Sequence, residues 1–190
     1  MKKLLKYLSI IIILIVAVVL IAGLFISKEF KFEKSIVINA SQEEVWKNVS
    51  QFNNFQKWNP LKAYDTNMKY EIKGEDGSIG SEYLWSGNAK VGRGKQILKA
   101  ILPMSDIAID MNYIEPMESH SHMYYHLQPI SATVTKITWG LEAKIQYPMN
   151  AIMVFIDVAG YMSKDFELGL GNLKKLCENN TRLTASLQKN

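Results

Sequence analysis

Three histidines lie close together in this chain, at His120, His122 and His126. Residues two apart on a β-strand share a face, so His120 and His122 could grip a metal ion between them. They share that face with Tyr124 and Gln128, opposite the apolar Met123, Tyr125 and Leu127, and alternation therefore turns them to solvent. No cysteine or adjacent carboxylate completes a ligand set, although Asp110 could reach them from a neighbouring strand. No metal and no cofactor is expected. The acids Asp110, Glu115, Glu118 and Glu142 fall mostly on outer faces or turns, where nothing would give a carboxylate the perturbed pKa of a catalytic group. Asp157 is expected on the solvated side of a helix. No Ser/His/Asp order carries a nucleophile context, and Gly92-x-Gly94 lacks the rest of any phosphate-binding loop. No catalytic residue is assigned.

The second chemistry on offer is burial of an apolar molecule. Period-2 alternation nominates an inward set of Tyr70, Tyr83, Trp85, Gln96, Leu98, Ile109, Met111, Met123, Tyr125, Ile137 and Trp139, joined from a helix by Met153 and Ile156. Singly, each reads as ordinary core. As a set they suit an adaptable pocket, because methionine fills irregular space and tyrosine brings a polar tip. The candidate ligand-binding residues are Tyr70, Tyr83, Trp85, Gln96, Leu98, Met111, Met123, Tyr125, Trp139 and Met153. Gln96 stands out among them. It shares parity with Leu98 and Ala100, and a buried amide needs partners. It could bind a ligand carbonyl or hydroxyl, while a one-residue slip of register would turn it to solvent.

The elements that position these residues follow from the same patterns. Phe30 to Asn39 alternates as a strand. Ser41-Gln-Glu-Glu44 is a capping box, opening a helix with Val45, Trp46 and Val49. A second short helix is expected over Asn53 to Lys57, stopped by Trp58-Asn59-Pro60. From Met68 to Ala143 the period is 2, punctuated by turns, and predicts six antiparallel strands. After that Met149, Ile152, Met153, Ile156, Met162, Phe166, Leu170, Leu173 and Cys177 fall mostly three or four apart, which predicts one long amphipathic helix. The polar residues after Asn179 are expected to fray.

Ahead of this domain, no charge occurs between Lys6 and Lys28. These 21 uncharged positions span roughly 30 Å as a helix, the thickness of a bilayer core. A secretory signal peptide has a shorter apolar core and a small-residue cleavage site. Here the run is longer, and Leu24, Phe25 and Ile26 follow Ala22-Gly23 directly. A retained single-pass anchor is expected. Lys2, Lys3 and Lys6 precede it, favouring a cytoplasmic N-terminus and an extracytoplasmic domain. The segment also explains the charge. Residues 1–28 carry four lysines and no acid, which leaves 18 basic and 18 acidic groups in the rest. A nucleic-acid-binding domain would show a basic excess or stripe, so that class is set aside. The single cysteine, Cys177, reads as a packed thiol.

The order of strand, two short helices, six strands and one long helix resembles the helix-grip fold of the START/Bet v 1-like superfamily. More narrowly, it is similar to a membrane-anchored member of the polyketide cyclase/dehydrase and lipid-transport group. The resemblance is carried by Ile36-Val-Ile-Asn-Ala40 with Glu43-Glu-Val-Trp46, by Phe52-Asn-Asn-Phe-Gln-Lys-Trp-Asn-Pro60, by Tyr83-x-Trp85-x-Gly-Asn88 and by Val91-Gly-Arg-Gly94. Thr135-Lys-Ile-Thr-Trp139, Lys164-Asp-Phe-Glu167 and Leu170-Gly-Asn-Leu173 complete it. It implies an α+β fold, a curved antiparallel sheet wrapped on the C-terminal helix with a cavity between them. The expected organisation is an anchor over 1–28, a helix-grip domain over 29–179 and a flexible tail over 180–190. The resemblance implies a binding module for a hydrophobic small molecule such as a lipid, isoprenoid or polyketide. A cyclase or dehydratase acting in the same cavity is the alternative, and a structural or protein-binding domain with a filled cavity is a third. One fold hosts many functions, so the site has to decide.

Overall fold

The computed structural model describes residues 2–187. The chain begins with helix α1 (Lys2–Gly23), then strand β1 (Glu29–Ile38) and the short helices α2 (Gln42–Val49) and α3 (Phe52–Phe55). A single 3-10 turn (Pro60–Ala63) leads to six strands: β2 (Lys69–Lys73), β3 (Glu82–Ser86), β4 (Arg93–Leu102), β5 (Asp106–Glu115), β6 (Ser119–Ser131) and β7 (Val134–Lys144). Helices α4 (Met149–Met153) and α5 (Val158–Leu187) follow.

The strands form one antiparallel sheet in the order β1-β7-β6-β5-β4-β3-β2. α2 and α3 carry the chain from the β1 edge to the β2 edge, and the meander returns it to pair β7 with β1. The alternating residues point where the period-2 pattern predicts. Leu98, Ile107, Ile109, Met123, Tyr125, Leu127 and Ile137 are buried on the inner face. α5 lies in the concavity and supplies Phe166, Leu170, Leu173 and Cys177 to the same core. The Phe166 ring stacks on Trp139 with centroids 4.1 Å apart and meets Phe32 edge-on at 5.2 Å. This is the helix-grip architecture.

Three local readings are corrected. The long helix is two helices, broken at 154–157. Asp157 caps the second, its carboxylate accepting from Gly160 N–H at 2.9 Å, and a side chain that satisfies the first turn ends the preceding helix rather than continuing it. As a result Ile152 and Ile156, assigned to the buried stripe, are exposed. α5 runs on to Leu187, through most of the segment expected to fray, while residues 188–190 of that tail lie outside the described residues. The capping box is half formed. Ser41 Oγ accepts from Glu44 N–H, but the Glu44 carboxylate accepts from Asn48 and Asn180 instead of reaching back.

α1 is long and apolar enough to cross a membrane, and none of its most apolar stretch is buried against the rest of the chain. Its last turn is fastened to α4, where the buried Asn150 donates to Gly23 O at 2.8 Å and Ile26 O at 3.1 Å.

Candidate functional site

Between the inner face of the sheet and α4–α5 lies a cavity of about 1110 Å³. β5, β6 and β7 wall it with Met111, Met123, Trp139 and Leu141, α4 with Met149 and Met153, and α5 with Val158, Met162 and Phe166. Six of the nine methionines line it: Met111, Met117, Met123, Met149, Met153 and Met162. Flexible thioethers make a wall that can adapt to different apolar shapes. The lining runs out to Glu29–Lys31, Ser119–His122 and Lys144–Gln146. Cross-strand pairing of Glu29 with Lys144 and of Ser121 with Ala143 brings these strand ends together at one end of the sheet, next to the exit of α1.

Many of the lining residues are polar, most of them at these strand ends, and few of the polar ones are buried. Gln96 is 2 % exposed and its Oε1 has no hydrogen-bond partner. The indole N–H of Trp139 is likewise buried and unpartnered. Tyr113 lines the cavity, and burial pushes its hydroxyl pKa up to about 12, so it stays a neutral donor. Asp165 of α5 also lines it and accepts a hydrogen bond from Tyr64 Oη–H.

Of the ten candidate ligand-binding residues, Gln96, Met111, Met123, Trp139 and Met153 line the cavity. Tyr83, Trp85, Leu98 and Tyr125 are buried but lie outside its lining. The reason is α3 and the residues after it, which plug that half of the concave face. Phe52 and Phe55 pack on Tyr83 at 5.7 and 5.4 Å, and Trp58 packs on Tyr125 at 5.9 Å. The Tyr83 hydroxyl takes hydrogen bonds from Gln56 and from Asn59. Tyr70 is 48 % exposed on edge strand β2, stacked over Tyr83 at 5.8 Å and away from the cavity. Parity found the right face, but it could not show how far the helices cover it. Tyr113 was legible, because it continues the Ile107, Ile109, Met111 alternation by one step. Asp165 was not, since it flanks the apolar stripe beside Phe166 and no period marks it as inward.

The histidines stand on the outer face in a row of cross-strand pairs. His120 Nδ1 lies 2.7 Å from Asn112 Oδ1, His122 Nδ1 2.6 Å from Asp110 Oδ1, and His126 Nδ1 2.6 Å from Asp106 Oδ1. These oxygens accept, so each Nδ1–H donates. Asp110 thus comes from the neighbouring strand as expected, and ligand atoms of Asp110, His120 and His122 lie within 4.8 Å of one another. Asp110 is also paired with Lys99 Nζ at 3.7 Å, which gives its carboxylate a second cationic or donor partner without a metal.

The model of the family described as polyketide cyclase / dehydrase and lipid transport matches residues 29–178. No curated protein matches the chain. Among solved structures, a protein from Rhizobium loti is similar with a TM-score of 0.59 at 15% identity, over 77% of this chain and 96% of that one. A protein from Chromobacterium violaceum is similar with a TM-score of 0.58 at 13% identity, over 78% and 96%. Norcoclaurine synthase from Thalictrum flavum, solved in complex with dopamine and hydroxybenzaldehyde, is similar with a TM-score of 0.55 at 14% identity, over 78% and 86%. At these identities the likeness is one of fold.

Proposed function

The chain belongs to the polyketide cyclase / dehydrase and lipid transport family, and from that premise we propose that it is a membrane-anchored binding module for a hydrophobic small molecule, such as a lipid, an isoprenoid or a polyketide-like compound. The observation that carries the reading is the methionine-walled cavity with Gln96 Oε1 unpartnered at its wall. Apolar burial at roughly 25 cal/mol per Å² supplies the affinity, and Gln96 orients a ligand hydroxyl. α1 supports attachment to a membrane, and Lys2, Lys3 and Lys6 ahead of it support a cytoplasmic N-terminus with the domain on the other side. The test is native mass spectrometry of the full chain released from detergent, followed by extraction of bound small molecules. A defined apolar species that is lost in a folded Met153→Trp variant supports the reading. An empty wild-type protein, purified gently from membranes, counts against it.

A second reading has its own observation. A cyclase or dehydratase moves protons on its substrate, and the Asp165 carboxylate, which accepts from the Tyr64 hydroxyl outside the lining, stands at the cavity wall. Norcoclaurine synthase shows that this fold can accommodate two small aromatic molecules at once. Asp165→Asn separates the two readings. A binding module keeps its ligand in that variant, whereas an enzyme accumulates unreacted substrate.

A further inference from the structure

The break between α4 and α5 exposes a run of large apolar side chains. Val154 is 61 %, Phe155 74 % and Ile156 46 % exposed, and Ile152 on the preceding turn is 44 % exposed. Close to them, just past the end of α1, Leu24 and Phe25 are 64 % and 86 % exposed. These two patches are joined by a rigid contact. Asn150 ties α4 to Gly23 and Ile26, and a Cβ on Gly23 would lie only 2.5 Å from Ala151 Cβ, so the two backbones ride directly on each other.

That contact fixes a height. Lys2, Lys3 and Lys6 hold the start of α1 at the opposite surface, and the uncharged part of the helix, Tyr7 to Gly23, is about 26 Å long against about 30 Å of bilayer hydrocarbon. Its last turn therefore ends within about one helical turn of the hydrocarbon boundary, on the hydrocarbon side, and α4 with it. The flanking residues fit that level. Tyr147 and Tyr161 are exposed, and Lys164 Nζ sits 6.0 Å over the Tyr161 ring, the aromatic and basic composition of a membrane interface. Met149 and Met153 of the same α4 line the cavity.

We propose that the 154–156 segment is embedded in the outer edge of the bilayer and that the cavity opens there, so that a membrane lipid enters it laterally without crossing water. This rests on the anchoring of α1 put forward above. One short helix then does three things: it docks on the anchor, carries an apolar foot into the interface and walls the cavity.

Depth-resolved quenching tests it in the full chain reconstituted in phosphatidylcholine vesicles. Single cysteines at Leu14→Cys, Phe155→Cys and Ala132→Cys are labelled with a nitrobenzoxadiazole dye, Cys177 being buried. The quencher is a lipid with a doxyl group on carbon 5 of its acyl chain. Ala132 lies in the β6–β7 turn at the opposite end of the sheet. The inference expects strong quenching at positions 14 and 155 and none at 132. Quenching at 14 without quenching at 155 overturns it and leaves the anchor standing. No quenching at either overturns the anchor, and the inference with it. The entry route is read separately, by uptake of a pyrene-labelled fatty acid from the same vesicles. Val154→Glu combined with Phe155→Glu alters only exposed side chains and is expected to slow uptake at least tenfold with the melting temperature unchanged. An unchanged uptake rate overturns lateral entry.

Discussion

Gln96 sets a buried amide oxygen, without a partner, against a wall of thioethers and rings. Leaving such an acceptor unsatisfied costs about 1–3 kcal/mol, and a ligand hydroxyl would recover that cost. Gln96→Leu is accordingly expected to leave the delipidated protein as stable as wild type or about 1 kcal/mol more stable. The same variant should weaken retention of a hydroxyl-bearing ligand about tenfold, matching one net hydrogen bond. Thermal denaturation of the stripped protein and a ligand-retention assay read the two effects independently. A large loss of stability would show that Gln96 has a structural partner. Position 96 was legible because the β4 alternation fixes its face once Leu98 is known to be buried. Tyr83 and Trp85 were legible as inward but not as core. Their role depends on Phe52 and Phe55, which arrive from a helix some thirty residues earlier and fill the space in front of them.

At the scale of elements, the Gly92-x-Gly94 segment is a packing device of the sheet. Gly92 has φ +68°, and a Cβ there would collide with the carbonyl oxygen of Glu115. A Cβ on Gly94 would sit 2.5 Å from Asn112 O and 2.6 Å from the Trp85 ring, beside an irregularity in the β4–β5 register. Gly92→Ala is expected to cost at least about 2 kcal/mol, since it adds strain at positive φ to a backbone clash. Gly94→Ala should cost a similar amount by displacing Trp85 and should change near-UV circular dichroism, which Gly92→Ala would leave largely intact. Urea denaturation gives the free energies. At the start of α2, Ser41→Ala removes the acceptor of Glu44 N–H and should cost about 1 kcal/mol, with the denaturation slope unchanged. The strands and the cap were legible because their signals are local in sequence. The break before Asp157 was passed over, because the three-to-four spacing of apolar residues resumes at Met162 after a single lapse of six positions from Ile156. A capping aspartate outweighs that spacing only when the residues before it have somewhere else to go, which here is away from the core.

For the molecule as a whole, the core holds several weak acids in their neutral form. Burial raises the pKa values of Tyr83 and Tyr125, takes the Tyr113 hydroxyl up to about 12 and, with the Glu44 charge nearby, takes the Cys177 thiol up to about 12. In the unfolded chain a thiol ionises near about 8.5 and phenols near about 10. Above these values the unfolded state binds fewer protons than the folded one, so stability falls as pH rises. The contribution of these groups is complete below about pH 8.5 and is lost through the window up to about pH 12, at up to about 1.4 kcal/mol per pH unit for each group. The urea midpoint of the full chain in detergent should therefore be flat from pH 7 to 8 as far as these groups are concerned, and should drop steeply between pH 9 and 11. Tyr125 isolates one share of the drop. Its hydroxyl is fully buried without a partner, so Tyr125→Phe removes a titrating group and an unsatisfied donor together. That variant should match or exceed wild-type stability at pH 7 and decline less steeply above pH 10. If its alkaline profile instead superimposes on that of the wild type, water reaches Tyr125. The cavity would then extend past Trp58 into the half of the concave face that the aromatic plug is seen to fill.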